Sequence, residues 1–249
     1  MFVSSRGFRI HYEVWGRGPA VVLLHGHPMW GERWVARGYV GGLEDRFRLI
    51  VPDLLGYGQS DKPYNTSAYG MSNWASDVIA VMDAQGVEHA DVWGYSMGTM
   101  VAENLAVSAP DRVRSLIFGG FPPGLDLLQR RAMFPPGDVP DSWEDMFEGW
   151  PQPLVDLYKA NNDLCAIQAI RASFIRDSIT IADLQSSPHP TLAYIAAEDS
   201  RLDVTRHQCA ALPCRLEIVP GDHIAGFSQS EQVLPLVVDH LAEAGRPVS

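Results

Sequence analysis

A serine with a glycine two residues away on each side, in the run Gly94-Tyr95-Ser96-Met97-Gly98, is where residue type and spacing in this 249-residue chain point to covalent chemistry. A hydroxyl is a weak nucleophile until a base takes its proton, a carboxylate orients that base, and N–H donors meet the charge developing on the attacked oxygen. The run follows the apolar stretch 90–93 and precedes a helical pattern. In that setting a tight strand-to-helix turn strains the serine backbone and lifts its hydroxyl above the sheet, over the free N–H groups of a helix start. Side chains at 94 and 98 would clash across such a turn, so glycine stands at both.

His223 is the best-placed base, because it follows the apolar run 215–219 within a few residues and a parallel sheet would deliver its loop to the edge that carries Ser96. His11 and His207 lie in alternating or helical surface patterns, and His89, His189 and His240 near element ends; all five are expected to be ordinary surface histidines. For the carboxylate, Ala197-Glu198-Asp199-Ser200-Arg201-Leu202-Asp203 offers three candidates, Glu198, Asp199 and Asp203.

The elements that must position these groups are legible from hydrophobic period. Ile10, Tyr12 and Val14 alternate with His11, Glu13 and Trp15, as in a half-exposed strand. Residues 20–24 are apolar on every side, as in a parallel strand covered on both faces, and similar short runs recur at 47–51, 90–93, 113–118, 191–196 and 215–219. Amphipathic stretches at 73–85, 101–108 and 231–244 alternate with them, which selects an α/β class. From 121 to 187 no buried strand is evident, and the segment reads as inserted. Within it Trp143, Phe147 and Trp150 stand at i, i+4 and i+7, predicting one helical face.

Four motifs in order make the chain similar to the α/β-hydrolase superfamily, in particular its small capped bacterial serine hydrolases of esterase or lactonase type. His25-Gly26-His27-Pro28 resembles the family's His-Gly-x-Pro oxyanion loop, and the run Asp53 to Asp61 resembles its Asp-x-x-Gly-x-Gly-x-Ser turn. The serine run resembles the nucleophile elbow, and Pro220-Gly221-Asp222-His223 the loop carrying the histidine. The resemblance implies a mostly parallel central sheet with helices on both faces, a core of residues 1–120 and 188–249, and a helical cap at 121–187. It implies a triad of Ser96, Asp199 and His223; Asp199 is favoured because Pro190-Thr191-Leu192 leads to it as in the family, with Ala196 where glycine is usual. Backbone N–H groups of His27 and Met97 would form the oxyanion hole, His25 would brace its loop, and Asp53, Gly56, Gly58 and Ser60 would shape a turn.

The implied reaction is cleavage of an ester, lactone or related carbonyl bond of a small, largely apolar substrate through an acyl-enzyme, with no cofactor. Carbon–carbon hydrolysis, perhydrolase-like chemistry and ligand sensing with vestigial turnover are the alternatives. A serine at the elbow disfavours the aspartate-nucleophile branches, epoxide hydrolase and haloalkane dehalogenase. Pocket candidates are His27, Trp30, Tyr95, Phe121, Phe134, Trp143, Phe147 and Trp150.

A net charge of −11 without a Lys/Arg run argues against nucleic acid as partner. Cys165, Cys209 and Cys214 lack metal-ligand spacing and are expected to be reduced packing residues; His25 and His27 as a metal pair lack a third ligand. No signal-peptide pattern and no apolar stretch of spanning length is present, so a cytoplasmic protein without membrane contact, acting on a small molecule, is expected. The oligomeric state is not legible.

Overall fold

The computed structural model describes residues 1–245 apart from Pro136, Asp138 and Pro188. The expected domain boundary at 188 and the last four residues of the core therefore lie outside the described residues. β1 (Phe2–Ser5) and β2 (Phe8–Trp15) open the chain, followed by β3 (Ala20–Leu24), α1 (Glu32–Ala36), α2 (Tyr39–Leu43) and β4 (Arg48–Pro52). Next come α3 (Met71–Ala84), β5 (Ala90–Tyr95), α4 (Met97–Ser108) and β6 (Val113–Gly119). Five helices then precede the next strand among the described residues: α5 (Leu127–Met133), α6 (Trp143–Met146), α7 (Gln152–Asn161), α8 (Leu164–Ser173) and α9 (Ile181–Gln185). The chain returns to the sheet with β7 (Thr191–Ala196), α10 (Leu202–Ala210), β8 (Cys214–Val219), α11 (His223–Ser228) and α12 (Ser230–Ala244).

The strands form one sheet in the order β1-β2-β4-β3-β5-β6-β7-β8. β1–β2 and β2–β4 pair antiparallel, and every other pair is parallel. β3 shows why its sequence is apolar throughout. Val21 and Leu23 point into one core with Trp34, Tyr39 and Val237, while Val22 and Leu24 point into the other with Trp74, Val78 and Met100. Each such side chain contributes about 1.5–3 kcal/mol by leaving water.

Strand order also locates the crevice. From β3 the chain passes to β4 on one side and then returns to β5 on the other, so the loops after β3 and β5 part at the carboxyl edge. Leu24 lies opposite Gly94, which starts the loop at His25 and the turn at Ser96 at the same height.

Several expectations need correction. β1 was not foreseen: it is a four-residue edge strand, half-exposed, joined to β2 through Arg6 and Gly7 at φ 50° and 85°. His11, His189 and His240 are buried rather than on the surface, His11 because the Asp53 carboxylate covers it at 2.9 Å. The aromatic helix is a single turn, α6, which ends at Phe147; Gly149, at φ 77°, turns the chain away before Trp150. The rings meet all the same, Trp143 stacking on Phe147 at 6.0 Å and Trp150 packing on Tyr158 at 5.7 Å. Cys209 and Cys214 do pack, with the neighbouring Cys214 side chain and then burial pushing the Cys209 thiol up, but Cys165 is exposed. No helix among the described residues is long and apolar enough to cross a membrane.

The inserted helices share the body's core rather than resting on it. Phe147, Tyr158, Ile167 and Phe174 join the cluster that contains Leu24 and Met100. Beneath them Glu103 of α4 and Arg130 of α5 are both fully buried and paired at 3.4 Å. Glu103 also accepts the Gly124 N–H at 2.9 Å, and Arg130 donates to the Asp177 carbonyl at 3.2 Å. Burial pushes the Glu103 carboxyl up, an effect only partly offset by Arg130 and Gly124.

Removing one partner of a buried ion pair strands the other in low dielectric. Arg130→Met is expected to lower unfolding free energy in urea by about 3–5 kcal/mol, and adding Glu103→Gln to recover a good part of it. Equal stability of Arg130→Met and wild type would show that the pair ties nothing together.

Candidate active site

At the end of β5 Ser96 adopts φ 53° and ψ −115°, a left-handed backbone rare for a residue with a Cβ. Close backbone packing enforces it. A Cβ at Gly94 would run into the Gly98 carbonyl, and one at Gly98 into the Leu24 carbonyl. Ser96 N–H donates to the Gly119 carbonyl at 2.7 Å, and the Thr99 hydroxyl reaches the Gly94 and Gly119 carbonyls at 3.1 and 3.2 Å.

Three side chains from three loops converge here. His223 Nε2 lies 3.2 Å from Ser96 Oγ, and His223 Nδ1 lies 2.9 Å from Asp199 Oδ2. With Asp199 accepting at Nδ1–H, Nε2 is the acceptor that faces the hydroxyl. Glu198 is exposed, and Asp203, also exposed, pairs with Arg206 at 3.4 Å, so neither reaches the imidazole.

Asp199 is shared. Its Oδ1 accepts the Arg201 backbone N–H at 3.0 Å and Nε at 2.7 Å, and its Oδ2 accepts Arg201 Nη2 at 3.1 Å beside the imidazole. Burial alone would raise this carboxyl, but the His223 and Arg201 hydrogen bonds hold it at about 2.

His223 is the first residue of α11, whose N–H at Ala225 is capped by the Asp222 carboxylate at 2.8 Å. Tyr95 holds it from below. Its ring stacks on the imidazole at 5.3 Å and 26°, and its hydroxyl donates to the His223 carbonyl. Gly120, at φ 64°, leaves the room that this ring takes.

The loop after β3 is braced by a neutral histidine. His25 Nδ1–H donates to the Gly26 carbonyl at 3.0 Å and Nε2 accepts the Leu54 N–H at 3.0 Å; burial lowers its pKa to about 4, so both roles persist. Asp53 fixes the other flank, accepting from Gly31 N–H at 2.7 Å, Gln59 N–H at 2.8 Å and His11 Nδ1 at 2.9 Å. A Cβ at Gly58 would overlap the Asp53 carboxylate, and Ser60 links the Asp53 carbonyl to the His11 N–H at 2.5 and 2.8 Å. His11 is thus part of the support for this loop, a role its alternating strand pattern concealed.

Gly26 sits so close to Ser96 that a Cβ there would come within 3.0 Å of the Ser96 Cβ, bringing the His27 segment beside the hydroxyl. Met97 opens α4, so its N–H has no carbonyl one turn back within the helix. The Met97 N–H is thus left for an acceptor outside the helix.

Two cavities adjoin Ser96 and His223. The larger, about 640 Å³, is bounded by Met29, Phe147, Trp150, Tyr158 and Phe227, with Arg33 and Arg37 on the body and Asp141 and Asp145 on the insertion. The smaller, about 180 Å³, is enclosed by Met100, Phe121, Phe134, Phe174, Arg171 and Arg201, with Met97 at the elbow. His27 and Arg171 face both. Of the sequence candidates, Tyr95, Phe147 and Trp150 line the larger cavity and Phe121 and Phe134 the smaller. Trp30 and Trp143 line neither: Trp30 is buried against Tyr158 at 5.4 Å, and Trp143 backs Phe147. The arginines were missed, since a charged residue on an amphipathic helix has the pattern of a solvated face. Among the described residues no group of three His, Cys, Asp or Glu is placed to hold a metal ion.

A family profile described as alpha/beta hydrolase fold matches residues 19–141. The chain is 36% identical to haloalkane dehalogenase 2 of Mycobacterium bovis over 118 residues, 47% of this chain and 40% of that enzyme. The chain thus spans about two-fifths of the length of the curated relatives it matches. In structure it is similar to a thermophilic esterase from Thermogutta terrifontis, with TM-score 0.79 and 22% identity over 98% of this chain and 97% of that one. It is also similar to the enol-lactonase from Burkholderia xenovorans, with TM-score 0.78 and 18% identity over 97% and 100%.

The geometry separates the three acidic candidates by experiment. Asp199→Asn is expected to lower kcat on an activated ester on the order of a thousandfold or more, by offering the imidazole an N–H and favouring the wrong tautomer. Glu198→Gln and Asp203→Asn should stay within a small factor of wild type. Steady-state kinetics on the three variants checks this, and a crippled Asp203→Asn with an active Asp199→Asn would contradict it.

Proposed function

Because the chain has the α/β-hydrolase fold, we propose that it is a serine hydrolase cleaving an ester, lactone or related carbonyl bond through an acyl-enzyme, with residues 121–187 as its cap. The observation that supports this best is the continuous hydrogen-bonded line from Ser96 Oγ through His223 to Asp199.

In this mechanism His223 Nε2 takes the hydroxyl proton as Ser96 Oγ adds to the carbonyl carbon. The oxygen becomes an alkoxide, for which the backbone N–H groups of Met97 and His27 are the donors in this reading. His223, now cationic and held by Asp199, returns the proton to the leaving oxygen. The tetrahedral adduct collapses to a Ser96 ester, and water activated by the same imidazole releases the acid. The cap closes the larger cavity over this chemistry, where exclusion of water strengthens each of these interactions.

The nucleophile type bears on the choice of reaction. Displacement of a halide by a serine oxygen would leave an ether, which no attack at a carbonyl can open, whereas an acyl-serine is hydrolysed by the same machinery that formed it. A carbonyl substrate is therefore the one this triad turns over.

Ser96→Ala is expected to abolish labelling by a fluorophosphonate and to lower p-nitrophenyl acetate hydrolysis on the order of 10⁴-fold or more, with an unchanged circular dichroism spectrum. Intact protein mass spectrometry reads the label. Wild type that binds small esters without labelling or turnover would instead favour a ligand sensor.

A further inference from the structure

The hydrolytic steps call on the backbone of His27 and leave its imidazole idle. That side chain lies where the two cavities meet, lining both of them together with Ser96 and His223. One nitrogen is turned into the protein. His27 Nδ1 lies 2.7 Å from the hydroxyl of Tyr57, a fully buried side chain, and that hydroxyl lies 3.3 Å from Met97 Sδ. Phe174 crosses the imidazole at 5.4 Å and 83°. Nε2, which the geometry of the ring points away from Tyr57, has no hydrogen-bond partner among the described residues.

The contact with Tyr57 decides which nitrogen carries the proton. One phenol proton faces two acceptors, and an imidazole nitrogen is a much stronger acceptor than a thioether sulfur. The distance agrees, since 2.7 Å is the usual length for an O–H donor and the short limit for an N–H donor. The phenol therefore donates to Nδ1, and His27 carries its own N–H on Nε2. Burial above all, with the charges of Arg171 and His25 adding to it, lowers the pKa of the ring to about 3, so it stays neutral at working pH.

We propose that the substrate carries a second carbonyl oxygen a few bonds from its scissile carbonyl, and that the His27 imidazole sets specificity by donating its Nε2–H to that oxygen. The proposal rests on the serine-hydrolase reading and names its substrate class. The discrimination comes from what the donor meets once the cavities fill. Water serves an N–H that lines open space, but a substrate made only of hydrocarbon displaces that water and leaves the donor among rings such as Phe121, Phe134, Phe174 and Phe147. A buried donor without a partner costs more than a made hydrogen bond gains, so a site of this kind acts chiefly by rejecting the ligand that lacks the oxygen. A carbonyl is the acceptor that fits, because it brings two lone pairs and no proton needing a partner of its own.

The test uses wild type first. Fluorophosphonate titration and hydrolysis of p-nitrophenyl acetate establish whether Ser96 is a working nucleophile, independently of any second carbonyl. Then kcat/KM is measured by NMR for methyl 4-oxopentanoate against methyl 4-methylpent-4-enoate, and for 3-oxobutyl acetate against 3-methylbut-3-enyl acetate. In each pair a ketone oxygen is replaced by a methylene of similar size, on the acid side in the first and the alcohol side in the second. At least one keto ester is expected to be preferred by about three- to tenfold, the range of one net hydrogen bond to a neutral group. A ratio read within each protein cancels any general loss of activity. That ratio should fall to unity or below in His27→Leu, recover in part in His27→Gln, whose amide offers an N–H, and drop in Tyr57→Phe, which removes the proton that fixes the tautomer. Nitrogen NMR of labelled histidine, assigned with His27→Gln, should find the wild-type ring protonated at Nε2. A protein that labels and hydrolyses the acetate but favours the keto ester in neither pair overturns the proposal. So does a preference that His27→Leu and His27→Gln leave unchanged, or a ring protonated at Nδ1. Failure to label or to hydrolyse the acetate overturns the serine-hydrolase reading, and with it this one.

Discussion

The left-handed backbone of Ser96 is the constraint around which this molecule is organised. A residue with a Cβ in that region is strained by about 1–3 kcal/mol and persists only where its surroundings leave no alternative. Here they are backbone atoms: the Gly98 and Leu24 carbonyls occupy the space that side chains at 94 and 98 would need. β3, β5 and the start of α4 consequently lie closer together than side chains would allow. That closeness brings the His27 loop beside the hydroxyl, and it lets the Tyr95 ring lie under the imidazole it supports.

Around this rigid point the electrostatics is graded. Asp53 and Asp199 are both buried carboxylates held below their usual range by hydrogen bonds, yet they serve different ends. Asp53 is saturated by backbone N–H groups and a buried histidine, so its charge is spent on geometry. Asp199 gives Oδ1 to Arg201 and shares Oδ2 between Arg201 and His223. The guanidinium thereby fixes the orientation of the acid that faces the imidazole.

The sheet and the meeting of Ser96, His223 and Asp199 were legible in the sequence because each depends on local rules. Strands buried on both faces have to be apolar at consecutive positions, as residues 20–24 are, and an elbow has to place glycine at 94 and 98. Position along the chain then put Asp199 and His223 at the edge where Ser96 ends its strand. What was not legible depends on contacts distant in sequence. Nothing near His11 signals that Asp53 will reach it across the sheet edge, and nothing near Arg171 shows that Phe134 will flank it 37 positions away. The aromatic run at 143–150 misled for a related reason: helical spacing was present, but Gly149 interrupts the helix, and the rings cluster by tertiary packing instead.

The buried pair of Glu103 and Arg130 bears on how this architecture diversifies. Insertions between β6 and β7 are attractive units for building chimaeras, since the sheet closes without them. In this chain, however, the first inserted helix brings a guanidinium whose fully buried carboxylate partner is a glutamate seven residues past Ser96, on the helix that follows it. A segment grafted without its socket would carry an uncompensated charge into a dry interior, and a socket without its segment would lose the cation that offsets the burial of Glu103. Positions 103 and 130 therefore have to be exchanged together, and a recombination crossover placed between them separates lock from key.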